Sequence, residues 1–197
     1  NLTGDTTIIA NGGVAIWNPK VSSGGNVLPG GTVSGSGKMT ITGDIVNSGW
    51  GYINLNMDAG SYFAGATSVN ESFNNQGIDS ILNLNLADRS QWRVTDDSTL
   101  TTLTNAGTLE LAADHTAGTY STLHADEVTL KESSILSVDL SAAALASRSA
   151  NPLITGGQVN PGGDLHVSNS GNTLDLNALT SDNQLADIDK VTLIDAD

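Results

Sequence analysis

Apolar and polar residues alternate with period two along most of the chain. The clearest runs are Met39-Thr40-Ile41-Thr42, Ile53-Asn54-Leu55-Asn56-Met57, Leu82-Asn83-Leu84-Asn85-Leu86, Thr108-Leu109-Glu110-Leu111 and Ile135-Leu136-Ser137-Val138-Asp139-Leu140. An alternation of that kind places one apolar face inward and one polar face outward, which is the signature of a strand. Helical periodicity is nearly absent, and the one helix expected is the Ala-rich stretch 141–150.

The alternating runs repeat. Segment 53–63 (INLNMDAGSYF) lies over 82–92 (LNLNLADRSQW) at a constant offset of 29, placing Asn on Asn, Leu on Leu, Ser61 on Ser90 and Phe63 on Trp92. A fixed offset stacks like residues if each unit is one coil of a solenoid. Leu55 and Leu84 then point inward, while Asn54, Asn56, Asn83 and Asn85 point outward and can form amide ladders. Two corner signatures recur. A polar turn ending in Ser precedes an alternating segment at Ser61, Ser90, Ser98 and Ser133; Asn-x-Gly occurs at Asn47, Asn105 and Asn169. Asn and Gly tolerate positive φ, and Ser bonds back to the local backbone, so both make sound turns. Residues 65–79 read as a loop inserted into one coil.

These features predict an all-β fold: a right-handed parallel β-helix (solenoid) with a modified, hairpin-bearing C-terminal cap. A sandwich also has short strands and turns, but register-preserving repetition and scarce aromatics favour the solenoid. Coils occupy residues 1–120. Residues 121–197 form the C-terminal end, where 141–150, Gly156-Gly157 and Pro161-Gly162-Gly163 change the character of the chain.

Composition sharpens this picture. Charged residues are only 14% of the chain against about 25% in ordinary domains, so Thr, Ser, Asn and Gly coat the surface. A net charge of −14 repels phosphate backbones and excludes nucleic acid as a partner. Cysteine is absent, which suits unfolded export through an oxidising compartment and is equally compatible with a cytosolic protein. No apolar run approaches a membrane-spanning helix. Asn1-Leu2-Thr3-Gly4 reads as mid-domain sequence without signal-peptide character, and no N-terminal cap is evident, so a cut fragment is expected.

Reactive chemistry is thin. His115, His124 and His166 lack metal-ligand spacing, and no serine stands in a nucleophile motif. Gly35-Ser36-Gly37-Lys38 fails the phosphate-loop pattern, since Thr32 takes the first glycine position and Met39 follows the lysine; it reads as a turn. Asp96-Asp97 and Asp187-x-Asp189 read as solvated corners. Pro161-Gly162-Gly163-Asp164 is a single scrap of a calcium-roll repeat. Trp92 falls at an inward position, whereas Trp17 and Trp50 border Gly-rich turns and are open to either core or sugar-stacking roles. No catalytic, cofactor-binding or metal residue is assigned.

Ser90-Gln91-Trp92-Arg93-Val94-Thr95, then Ser98-Thr99-Leu100-Thr101-Thr102-Leu103, then Asn105-Ala106-Gly107 resembles the pertactin-like signature of type V autotransporter passengers. Upstream, Gly60-Ser61-Tyr62-Phe63-Ala64-Gly65-Ala66 is similar to a family segment that carries Trp where this chain has Phe63. Tyr120-Ser121-Thr122-Leu123 resembles the strand opening the next coil, and Val191-Thr192-Leu193-Ile194 resembles a late family segment. The matches cover about residues 44–197, with AIDA-type adhesins the nearest group.

The resemblance implies a bacterial surface protein exported through the periplasm, anchored by its own outer-membrane β-barrel downstream or released. It implies a rigid stalk for adhesion, self-aggregation or biofilm formation, and an autochaperone region at about 90–197. The residues expected to carry that folding role are Trp92, Leu100, Leu103, Leu109, Leu111, Tyr120 and Leu123. The partner is a host-cell or matrix receptor, or the protein itself on a neighbouring cell. The rival expectation is a β-helical enzyme acting on polysaccharide or ester substrates.

Overall fold

The computed structural model describes residues 1–23, 26–69, 80–111, 113–114, 119–139, 154–160, 162–169, 172–173 and 194–196. Twenty strands and no helix occur among them. In chain order the first eight are β1 (Leu2–Thr3), β2 (Thr6–Asn18), β3 (Val21–Ser23), β4 (Asn26–Gly37), β5 (Met39–Asn47), β6 (Trp50–Met57), β7 (Tyr62–Ala64) and β8 (Thr67–Val69). Next come β9 (Ile81–Leu86), β10 (Gln91–Val94), β11 (Ser98–Asn105), β12 (Thr108–Leu111), β13 (Ala113–Asp114) and β14 (Thr119–Tyr120). The last six are β15 (Leu123–Leu130), β16 (Ile135–Asp139), β17 (Ile154–Asn160), β18 (Asp164–Asn169), β19 (Asn172–Thr173) and β20 (Ile194–Ala196).

Two long sheets hold nearly all of them. One runs β1-β4-β6-β9-β11-β15-β17-β20, the other β2-β5-β7-β10-β12-β16-β18-β19. Successive strands of the chain alternate between the two, and neighbours along each path are parallel, apart from the antiparallel pair β18-β19. Parallel neighbours cannot be joined by a tight hairpin; here the strand visited in the other sheet supplies the connection. Local hairpins also occur at β3-β4 and β13-β14.

The repeat offset is the pairing register. Ile53 to Met57 pair residue for residue with Leu82 to Leu86, and Phe63 pairs with Trp92, all 29 apart. Inward residues from both sheets form one core, including Leu55, Leu84, Leu103 and Val128 from one and Ile41, Phe63, Trp92 and Leu109 from the other. The Phe63 and Trp92 rings stack with centroids 5.4 Å apart and 16° between their planes.

Three expectations change. Residues 65–79 are not wholly a loop: Thr67–Val69 forms β8, which pairs with Ile45 to Asn47. Its backbone is held on another side by hydroxyls, Thr67 N donating to Ser98 Oγ at 3.1 Å and Val69 N to Thr99 Oγ1 at 3.0 Å. Isolated three-residue strands carry too little pattern to be read from sequence. Secondly, Tyr120 is not part of the strand that follows it. It pairs antiparallel with Ala113 in a small hairpin of two-residue strands, and the next strand of the long sheet begins at Leu123. Thirdly, the Asn-x-Gly corners at 47 and 105 use no positive φ. Their glycines are required by close approach: a Cβ on Gly49 would meet Pro19 O at 2.4 Å, and one on Gly107 would meet Ser90 O at 2.3 Å. The expected helix at 141–150, the inserted residues 70–79 and Asp187-x-Asp189 lie outside the described residues.

Positive φ does matter at the other corner. Ser61 N donates to Asp58 O at 3.0 Å with Gly60 at φ 80°, and Ser90 N donates to Ala87 O at 3.1 Å with Arg89 at φ 60°. Both are turns whose third residue is left-handed. Space is not limiting at Gly60, where a Cβ meets only the Lys38 side chain at 3.7 Å. Gly60→Val is therefore expected to cost about 1–2 kcal/mol of backbone strain. In Arg89→Gly, strain relief and added unfolded-state entropy nearly cancel, leaving a change within about 0.5 kcal/mol. Urea midpoints of the two variants check this; equal losses would refute the assignment of strain to these φ values.

Candidate functional site

Every second residue of β6 from Tyr52 onward and of β9 faces outward, as do Thr102 and Thr104 of β11, and register stacks these residues into columns. One column runs Ser34, Asn54, Asn83, Thr102, Glu127, Gln158; the next runs Ser36, Asn56, Asn85, Thr104, Thr129, Asn160. The amide ladder expected from sequence is present: Asn83 Nδ2 donates to Asn54 Oδ1 at 2.8 Å, and Asn85 Nδ2 reaches Asn56 Oδ1 at 3.4 Å. Further along, Asn160 Nδ2 donates to Thr129 Oγ1 at 3.3 Å.

At the centre of this face lies a shallow, open hollow of about 290 Å³. Its walls are the Asn54, Asn56, Asn83, Asn85, Thr102 and Thr104 side chains, over a floor of Leu55 and Leu84. None of these residues is charged. Asn83 Oδ1 is buried and accepts no hydrogen bond. Tyr52, 46% exposed, stands two residues before Asn54 on the same outward side of β6.

The chain matches no family model, no curated protein and no solved structure.

The residues singled out for a folding role fall in the core. Trp92, Leu100, Leu103, Leu109, Leu111 and Leu123 are buried together in one cluster, and Trp92 Nε1 donates to Gly65 O at 3.0 Å. Tyr120 lies apart from their strands, in β14. Trp50 is also buried, whereas Trp17 is 64% exposed, its Nε1 donating to Ser48 Oγ at 3.0 Å. Trp17 shares the exposed surface of β2 with Ile9 and Val14, at the end of its sheet.

Other candidate groups have structural work. Gly35 to Gly37 end β4, and Lys38 links it to β5, so that segment is a turn. Asp97 Oδ1 accepts from both Thr122 N at 2.9 Å and Thr122 Oγ1 at 2.8 Å, which ties the start of β11 to the start of its neighbour β15. His124 Nδ1 bonds Thr155 Oγ1 at 2.7 Å. His115 lies outside the described residues. Arg93 pairs with Glu110 at 3.4 Å, a contact that also draws Gln91 Nε2 to Glu110 at 2.8 Å. Among the described residues no group of three or more His, Asp or Glu is arranged to hold a metal ion.

Sequence reasoning missed a second, interior set of amides. Asn18, Asn47 and Asn105 are buried. Asn18 Nδ2 donates to Asn47 Oδ1 at 2.9 Å, and Asn47 Nδ2 donates to Gly51 O and Ile81 O, each at 2.9 Å. Asn105 closes its own corner, donating to Gly107 O and accepting from Gly107 N. The signal was available, since Asn18 and Asn47 are also 29 apart.

Proposed function

We propose that the two sheets are faces of a right-handed parallel β-helix, and that this β-helix is a stiff stalk of an autotransporter passenger serving adhesion or self-aggregation at a bacterial surface. The single observation that carries the reading is the Asn/Thr face, uncharged around its hollow and backed by a continuous apolar core. Stacking at about 4.8 Å per strand makes such a body grow in length with each added coil. Repetition then multiplies weak polar contacts along one side, and a rod with few surface charges in the contact strip brings two polar faces together at little electrostatic cost.

Folding fits the same role. Each coil presents unpaired strand edges that template the next, so a stable C-terminal block can nucleate the rest. The buried cluster from Trp92 to Leu123 is the proposed nucleus.

The test is made on cells carrying the parent gene, with and without residues 91–197, scoring surface display by antibody and attachment or clumping separately. Loss of display is the expected result and makes this block the folding nucleus. Normal display with lost attachment places the adhesive face within it. Unchanged display and unchanged attachment together overturn the proposal. Clumping that strengthens from pH 8 to pH 4 is expected if the net charge of −14 holds the rods apart.

A further inference from the structure

We infer that the hollow on the Asn/Thr face is a binding site for a neutral pyranose within a polysaccharide chain, with Tyr52 as its stacking platform. This deepens the adhesion reading by naming the class of ligand, and it rests on that reading only for its biological setting.

Three observations carry it. The first is the lining. Asn54, Asn56, Asn83, Asn85, Thr102 and Thr104 supply planar amides and hydroxyls, each able both to donate and to accept. Vicinal hydroxyls of a sugar need that mixture. An anion would need cations, and a cation would need carboxylates; the hollow has neither, and a chain of net charge −14 repels polyanions over a longer range.

The second is an acceptor left over. Asn83 Nδ2 is spent on Asn54, but Asn83 Oδ1 accepts nothing. Leaving a buried acceptor unmade is costly. Asn83 lines the hollow and the terminal torsion of Asn is broad, so in the proposed complex its amide turns to offer this oxygen to a sugar hydroxyl, exchanging the bond to Asn54 for one to the ligand.

The third is Tyr52. It is an exposed aromatic in a chain that is only 4% aromatic. It sits on the same outward side as Asn54, roughly 7 Å along the strand. A pyranose has one apolar CH face and a polar rim, and an aromatic ring beside amides matches both. The hollow is open along the ladder, so it accommodates an internal unit of a chain and needs no free end.

The experiment is a titration of the purified chain with cellohexaose, maltohexaose and a linear mannohexaose. It is followed by NMR of the asparagine side-chain amides, with a sulfated heparin hexasaccharide as the polyanionic arm. Saturable shifts of the Asn54, Asn83 and Asn85 amides with at least one neutral sugar are expected, at about millimolar affinity for so shallow a site. Tyr52→Ala and Asn85→Ala, both exposed positions, should each weaken binding about tenfold, equivalent to one lost good contact, with unchanged circular dichroism. No shift with any neutral hexasaccharide overturns the inference, as does preference for the sulfated sugar or indifference to both substitutions. Amide shifts that depend on protein concentration alone would put a second copy of the chain on this face and overturn it too. None of these failures touches surface display or folding, so they are distinguishable from failure of the stalk proposal.

Discussion

Trp92→Ala is expected to remove about 3–5 kcal/mol of stability, the range for deleting a fully buried large aromatic. Trp92 is 0% exposed and stacks on Phe63 at 5.4 Å, across the 29-residue register that joins β10 to β7. The substitution loses the apolar burial, leaves a cavity beneath the paired strands β7 and β10, and strips Gly65 O of the bond from Trp92 Nε1. Gly65 packs closely on Gly43, leaving no room for a Cβ, and its N–H donates to Arg93 O at 3.2 Å, which holds its backbone in place. Trp92→Phe keeps a ring against Phe63 and should cost less, about 1–3 kcal/mol, chiefly the hydrogen bond and the lost ring volume. Urea unfolding followed by circular dichroism measures both. In the proposed β-helix each coil contacts mainly its neighbours, so a weakened interface between two of them should also split the transition in two. A loss below about 1 kcal/mol for the alanine variant would mean that the aromatic stack is not part of the stabilising core.

Asn47→Leu is expected to be nearly as damaging despite a good match in volume, at about 2–5 kcal/mol. The leucine leaves the carbonyls of Gly51 and Ile81 without this donor and Asn18 Nδ2 without this acceptor, each costing about 1–3 kcal/mol when buried. Asn18 still reaches Gly31 O at 3.1 Å, which keeps the total toward the lower half of that range. Asn85→Ala, on the outer ladder, should change stability by less than about 0.5 kcal/mol, because Asn85 is exposed and its bond to Asn56 is long at 3.4 Å. Thermal or urea denaturation of the pair decides the matter. Comparable losses at both positions would show that the outer amides are structural and not free to meet a ligand.

The contrast between those asparagines marks how far the residues could be read without a structure. Alternation at Leu82-Asn83-Leu84-Asn85-Leu86, together with the offset of 29, was enough to put the leucines inside, the amides outside and one set over the other. It also put Trp92 over Phe63 in the core. Those inferences succeed because side-chain period and pairing register are rigid: a slip of one residue would turn every leucine to water. The short strand β8 and the two-residue hairpin at Tyr120 were not legible, since two or three residues carry no period. The hollow was half legible. The asparagine walls follow from the repeat, but Thr102 and Thr104 pair with Asn83 and Asn85 at a spacing of 19 residues, because fewer residues separate β9 from β11 than β6 from β9. The alternation within β11 is also broken, Thr101 and Thr102 both being half-buried between inward Leu100 and Leu103, so neither the repeat nor the period points to them.

By itself, then, the sequence determined the longer alternating strands, which face of the repeated strands is apolar, and how the repeated segments align, because these depend on local alternation and on a constant spacing. Only the tertiary structure decided which amides are buried. Asn47 and Asn54 are the same residue seven positions apart, yet one lies in the corner where the sheets turn and has carbonyls as its neighbours, while the other lines an open face. It likewise decided that Gly49 and Gly107 are needed for close approach of backbone distant in sequence, at Pro19 and Ser90, and not for their φ. Both outcomes depend on what a distant segment places alongside, which no local pattern contains.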